Sequence, residues 1–163
     1  MCGSLPLDYA RPEVERWLAE HGWFPGRDIG PRAEELIQVR VEDAARQGWQ
    51  LAVLETAVRF VHEYGELELR SPRKSPDVVL TIKPTVGYAG DVEDFAELGE
   101  GLGVRLFPVA YETHEPGIWL VDETGRFFHW HHTGGYFLGE NEYEAFAAAM
   151  SGRLLPDAED YFV

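Results

Sequence analysis

The hydrophobic period of this chain changes near residue 65, and that change fixes its fold class. Before it, apolar residues recur every three to four positions; after it they mostly alternate, with helical spacing returning in two short stretches. Residues 12–21 place Val14, Trp17, Leu18 and His21 on one helical face, with Pro12 at a tolerated first-turn position and Gly22 as the stop. Residues 31–47 predict a second helix with Leu36, Ile37, Val41, Ala44 and Ala45 inward, and residues 52–64 a third with Ala57, Phe60 and Tyr64 on one face. Strands are expected over 67–70 and 77–83, paired antiparallel across the turn residues between them, and over 104–111, 117–122 and 126–132. The last two join through Glu123-Thr124-Gly125. Helices are expected again over 91–101, with Asp91 as a cap and Val92, Phe95, Ala96 and Leu98 in register, and over 140–150. The expectation is a single α+β domain over 1–163: a meandering, mostly antiparallel sheet flanked by about five helices, a core of about 13–150 and an acidic tail from 151.

Fourteen Lys and Arg against 29 Asp and Glu give a formal net charge of −15, while 45% hydrophobic residues support a folded core. Such a surface repels phosphate backbones, so direct nucleic-acid binding is not expected. The single cysteine, Cys2, forms no internal disulfide, and the opening residues contain neither a basic nor an apolar export segment. A cytoplasmic protein with no membrane association is the expectation.

No catalytic, cofactor or metal site emerges. His129 and His131 share one strand face, but two imidazoles are not a metal site, and His62-Glu63 lacks a second histidine at zincin spacing. Ser4, Ser71, Ser75 and Ser151 read as turn or cap residues. Gly99, Gly101 and Gly103 lack phosphate-loop spacing and read as helix termination. In the 126–132 strand, Phe127, His129 and His131 alternate with Phe128, Trp130 and His132, so one set is expected in the core and the other exposed. Trp119, Phe127, Phe128, Trp130, Tyr136 and Phe137 are candidates for a pocket that binds a small ligand or peptide. Asp91, Glu93, Asp94, Glu97 and Glu100 form an acidic run with no base among them, suited to steering a basic partner, although solubility explains the same charge.

Four ordered segments resemble the SUKH-3 family of bacterial immunity proteins. They are Gly22-Trp23-Phe24-Pro25-Gly26-Arg27, Phe60 to Leu67 (FVHEYGEL), Ala96-Glu97-Leu98-Gly99 with Leu106-Phe107-Pro108-Val109, and Leu120 to Arg126 (LVDETGR). Glu66 stands where the family's second glycine is usual, and Ala110 replaces the glycine after Pro-Val. The motifs read as structural, with Gly65 ending a helix, Trp23 and Phe24 packing and Gly125 turning a hairpin. The resemblance implies a SUKH-like fold and a non-enzymatic antidote without cofactors. Its partner would be a cognate toxin domain encoded by a neighbouring gene, a nuclease or nucleic-acid deaminase that is basic where it holds nucleic acid. Charge and placement nominate Glu66, Glu68, Asp91, Glu93, Asp94 and Glu112 as toxin contacts.

Overall fold

Six strands in sequence order form one antiparallel sheet: β1 (Glu68–Arg70), β2 (Val79–Thr81), β3 (Leu106–Glu112), β4 (Gly117–Asp122), β5 (Phe127–His131) and β6 (Gly134–Gly139). Among the described residues five α-helices accompany it: α1 (Arg11–Glu20), α2 (Pro31–Arg46), α3 (Glu55–Tyr64), α4 (Asp91–Leu102) and α5 (Glu142–Ser151). The computed structural model describes residues 9–72, 78–113, 117–152 and 154–163; Cys2, Ser4, Ser75 and Asp77 lie outside them. The α+β class and the meander are as expected, and β1 pairs with β2 antiparallel.

Helices cover both faces of this sheet. On one face, Val14, Trp17 and Leu18 of α1, Leu36 and Ile37 of α2, and Ala57, Phe60 and Tyr64 of α3 pack with nearly all of α5 over Phe107, Trp119, Val121 and Phe127. Phe146 is the hub of that core, its ring lying 6.1 Å from Trp17, 5.8 Å from Phe60, 5.1 Å from Tyr64 and 5.8 Å from Trp119. On the other face, Phe95, Leu98 and Leu102 of α4 cover Leu106, Leu120, Phe128 and Phe137. Phe127 and Phe128 therefore both lie in a core, one on each face, instead of dividing into a buried and an exposed set.

Three placements differ from the periodicity reading. Ala45 and Ala96 point to solvent, since the stripes they belong to are narrower than their apolar spacing implied. Phe24 is 56% exposed, while its neighbour Trp23 is buried and donates Nε1–H to Glu63 Oε2 at 3.0 Å. Strand β6 was not anticipated, because Gly134, Gly135 and Gly139 dilute its alternation. Two of those glycines answer to packing: a Cβ at Gly135 would crowd Leu98 and Ala158 (3.2 and 3.3 Å), and one at Gly139 would meet Ala145 N at 2.9 Å. Gly99 and Gly101 lie inside α4, and only Gly103 terminates it, at φ +72°. A Cβ at Gly101 would strike the Phe162 ring at 2.7 Å, so that glycine makes room for the closing segment. In that segment a 3-10 turn, Ala158–Tyr161, stacks Tyr161 on Phe137 with centroids 4.1 Å apart.

The resemblance motifs meet in space. Arg27 donates to the Glu63 and Gly65 carbonyls (2.6 and 2.8 Å), so the first motif closes the C-terminal end of α3 inside the second. Gly65 is needed for close approach to Val61 and Ile29, while the left-handed residue is Glu66, at φ +69°. A glycine, which the resemblance leads one to expect at position 66, would hold this conformation without a Cβ penalty. Here Glu66 spans to Arg32 at 2.9 Å instead. In the hairpin motif, the fully buried Asp122 carboxylate accepts from Thr124 N, Thr124 Oγ1, Arg126 N and Arg126 Nε at 2.7–3.0 Å.

Phe146→Ala should destabilise the fold by about 3–5 kcal/mol in urea unfolding, because it empties the position shared by four rings. Glu66→Gly should be neutral or stabilising by up to about 1 kcal/mol, since relief of the left-handed backbone exceeds the worth of one exposed ion pair.

Candidate functional site

One row of side chains crosses the sheet on the face that α4 covers only in part. Glu68 pairs with Thr81, Thr81 with Tyr111, Tyr111 with Ile118, Ile118 with Trp130 and Trp130 with Gly135. Over this row lies the loop before α4, and between them opens a cavity of about 520 Å³. Val86, Tyr88, Tyr111, Ile118 and Trp130 supply its apolar wall, Asp94 a carboxylate at its edge, and His131 and His132 its far rim. Its volume and apolar lining are those of a recognition site.

The loop is positioned from beneath by a buried ion pair. Arg40 of α2 and Asp91, the first residue of α4, are 1% and 0% exposed and bonded through Nη2 and Oδ2. Gln47 donates Nε2–H to Asp91 Oδ1 at 3.0 Å, and the Tyr88 amide donates to Asp91 Oδ2 at 3.3 Å. Gly87 lies against this pair: a Cβ there would collide with Asp91 Oδ2 and come within 2.6 Å of the Arg40 guanidinium. The backbone at 87–88 is therefore held down, and the Tyr88 ring is laid over the groove. Its hydroxyl donates to Asp94 Oδ2 and accepts from Trp130 Nε1, each at 2.6 Å. Burial and the bond to Asp94 raise the Tyr88 phenol above its ordinary pKa and keep it a donor.

Of the six nominated acids, Glu93 is exposed on α4 and Asp94 lies at the groove edge. Glu68 is exposed on the edge strand, in the same row as Tyr111 and Trp130. Glu66 is exposed elsewhere and engaged with Arg32. Asp91 and Glu112 are interior, at 0% and 7% exposure. Asp91 does not act as a side-chain cap, because Gly90 holds the N-cap position and the Asp91 carboxylate turns inward to Arg40.

Trp119, Phe127, Phe128 and Phe137 are core, and of the six aromatic pocket candidates Trp130 alone lines the groove. Sequence reasoning missed Val86, Tyr88 and Tyr111 as lining residues; an exposed aromatic in a glycine-bounded loop was the available signal. His129 and His131 do share a face, with ring centroids 6.1 Å apart. Among the described residues no group of three or more His, Cys, Asp or Glu is arranged to hold a metal ion.

The profile of the SUKH-3 immunity protein family matches residues 10–152 of the 163. The chain belongs to the SUKH-3 immunity protein family. No curated protein and no solved structure matches it. The SUKH-3 match runs through all five helices and the whole sheet, so groove, ion pair and motif contacts all lie within the family region. No helix among the described residues is long and apolar enough to cross a membrane.

A second charged cluster joins the helices on the opposite side of this SUKH-3 domain. His62 lies 2.6 Å from Asp28 through Nδ1 and 2.7 Å from Glu34 through Nε2. Carboxylates only accept, so both ring nitrogens donate and the imidazolium is the bound form. The hydrogen bonds to Asp28, then to Glu34, raise the His62 pKa.

Arg40→Leu should cost about 3–5 kcal/mol in chemical denaturation by leaving Asp91 buried and unpaired, whereas Arg40→Leu with Asp91→Leu should recover most of that loss. Because the folded His62 pKa is raised, its contribution is complete below its unfolded value of about 6.5 and is lost as pH rises through the folded value. Melting temperatures should therefore differ more between wild type and His62→Gln at pH 6 than at pH 9.

Proposed function

We propose that this SUKH-3 protein neutralises a toxin that acts on nucleic acid, a nuclease or a deaminase, by non-enzymatic one-to-one binding in the cytoplasm. The groove floored by Trp130 and Tyr111 is the docking centre, and exposed carboxylates around it steer the approach. The observation that carries this reading is the coincidence of an open apolar groove with the acidic helix α4 beside it. Glu93, Asp94, Glu97 and Glu100 follow one another there with no Lys or Arg in the helix. Apolar groove and charged rim is the usual anatomy of a specific interface.

The net charge of −15 gives the rim its purpose. A domain that holds a nucleic-acid backbone presents arginine and lysine at its substrate groove, and a strongly acidic body is drawn to that groove faster than diffusion alone allows. Once docked, it occupies the place of the phosphates. Glu68, Glu93 and Asp94 are the acids best placed for this among those the sequence nominated, with Glu66 a peripheral contributor. Asp91 serves the interface indirectly, by holding the loop that carries Tyr88.

The test is an affinity measurement against the inactivated C-terminal toxin domain encoded beside this chain, at two salt concentrations. One-to-one binding is expected, with association slowing about tenfold or more between roughly 50 and 300 mM salt. Glu68→Gln, Glu93→Gln and Asp94→Asn together should slow association at low salt by a similar factor. Absence of binding at both salts would overturn the proposal, and salt-independent association would remove the steering.

A further inference from the structure

We propose that the groove beside Trp130 is a receptor for a single arginine side chain of the partner. The toxin as source of that arginine rests on the function proposed above, but the chemistry of the receptor stands on the groove itself.

Three features select a guanidinium. The first is the hydrogen-bonded relay from Trp130 Nε1 through the Tyr88 hydroxyl to Asp94 Oδ2, both steps 2.6 Å. It fixes the indole, the phenol and the carboxylate in one arrangement before any ligand arrives. The bond from Tyr88 uses only part of the capacity of Asp94, since an ionised carboxylate accepts at about four positions. The second is the pairing of that carboxylate with aromatic faces. Trp130, Tyr88 and Tyr111 line the same cavity as Asp94. A planar guanidinium stacks on an aromatic ring and bonds a carboxylate bidentately, which an ammonium does not, and its aliphatic stem suits a wall such as Val86 and Ile118. The third is what the groove disfavours. An apolar occupant would strip water from Asp94 and give it no partner, and an acidic one would meet a repelling field. No lysine or arginine of this chain lines the cavity among the described residues, so the place of the cation is open.

The relay also accounts for the buried ion pair below it. Arg40 holds Asp91, Asp91 accepts from the Tyr88 amide, and the Tyr88 hydroxyl orients Asp94. The receptor is in this sense built from α2 outward.

The experiment is a titration of the intact chain, followed by the Trp130 indole N–H resonance and assigned with Trp130→Phe. The probes are blocked Gly-Arg-Gly, Gly-Lys-Gly, Gly-citrulline-Gly and Gly-Leu-Gly peptides. The arginine peptide should give a saturating shift, with citrulline, which keeps the shape and loses the charge, weaker by about tenfold or more. Asp94→Asn should weaken arginine binding by a similar factor while the rest of the spectrum keeps its folded dispersion. Equal binding of the leucine or citrulline peptide, or no shift with any peptide, would overturn the receptor. In a parallel arm with the toxin domain, tight binding by wild type that Asp94→Asn and Trp130→Ala leave unchanged would overturn the arginine anchor and leave the immunity function standing. Failure of the wild type to bind the toxin would overturn the toxin as source, and the peptide titration would still decide the chemistry of the groove.

Discussion

Arg40 and Asp91 are opposite charges shut inside a protein of formal net charge −15, and three pieces of the chain converge on them, although Arg40 Nε is left without a hydrogen-bond partner among the described residues. A charge removed from water is tolerated only when its partner and further hydrogen bonds replace the lost solvation. Gln47 and the Tyr88 amide complete the shell of Asp91, Asp43 accepts from Arg40 at 3.1 Å, and Phe95 lies under the guanidinium at 5.6 Å. Each requirement ties down a different piece of chain: α2, the loop over the groove, and the start of α4. Since α4 covers the second core and the loop walls the groove, fold and site share one electrostatic origin.

The sequence made the elements legible wherever an element's own residues carry the pattern. Helices α1, α3 and α4 carry clear apolar stripes, and β3 to β5 show β-branched and aromatic runs bounded by turn residues. What escaped is what depends on a neighbour. Strand β6 uses glycine where a helix or the closing segment presses close, so its alternation is diluted by tertiary packing. Ala45 and Ala96 fit a helical period and still face water, because alanine is small enough to sit at the margin of a stripe. Phe24 was expected to pack with Trp23, but the turn sends the two rings to opposite environments.

The site divides along the same line. Acidity could be read directly, and Asp94 does line the groove, but the sequence offered no means of separating a carboxylate at the surface from one inside. Asp91 and Glu93 differ by two positions in one acidic run, yet one is wholly interior and the other solvated. Only the position of Arg40, 51 residues away in sequence, separates their roles. The aromatic floor was legible as composition and not as place, because membership in the groove row is set by strand register.

The hub ring Phe146 belongs to α5, which follows every strand of the sheet in chain order. Helices α1 and α3 bury their apolar faces against that late helix and strands formed in between, so they have no core of their own while the chain is being made. Ring contacts of Trp17, Phe60 and Tyr64 in the first 65 residues are thus closed by Phe146, near the far end of the chain. On a ribosome, α1 and α3 emerge with the apolar faces that meet Phe146 still uncovered until residues 142–151 follow.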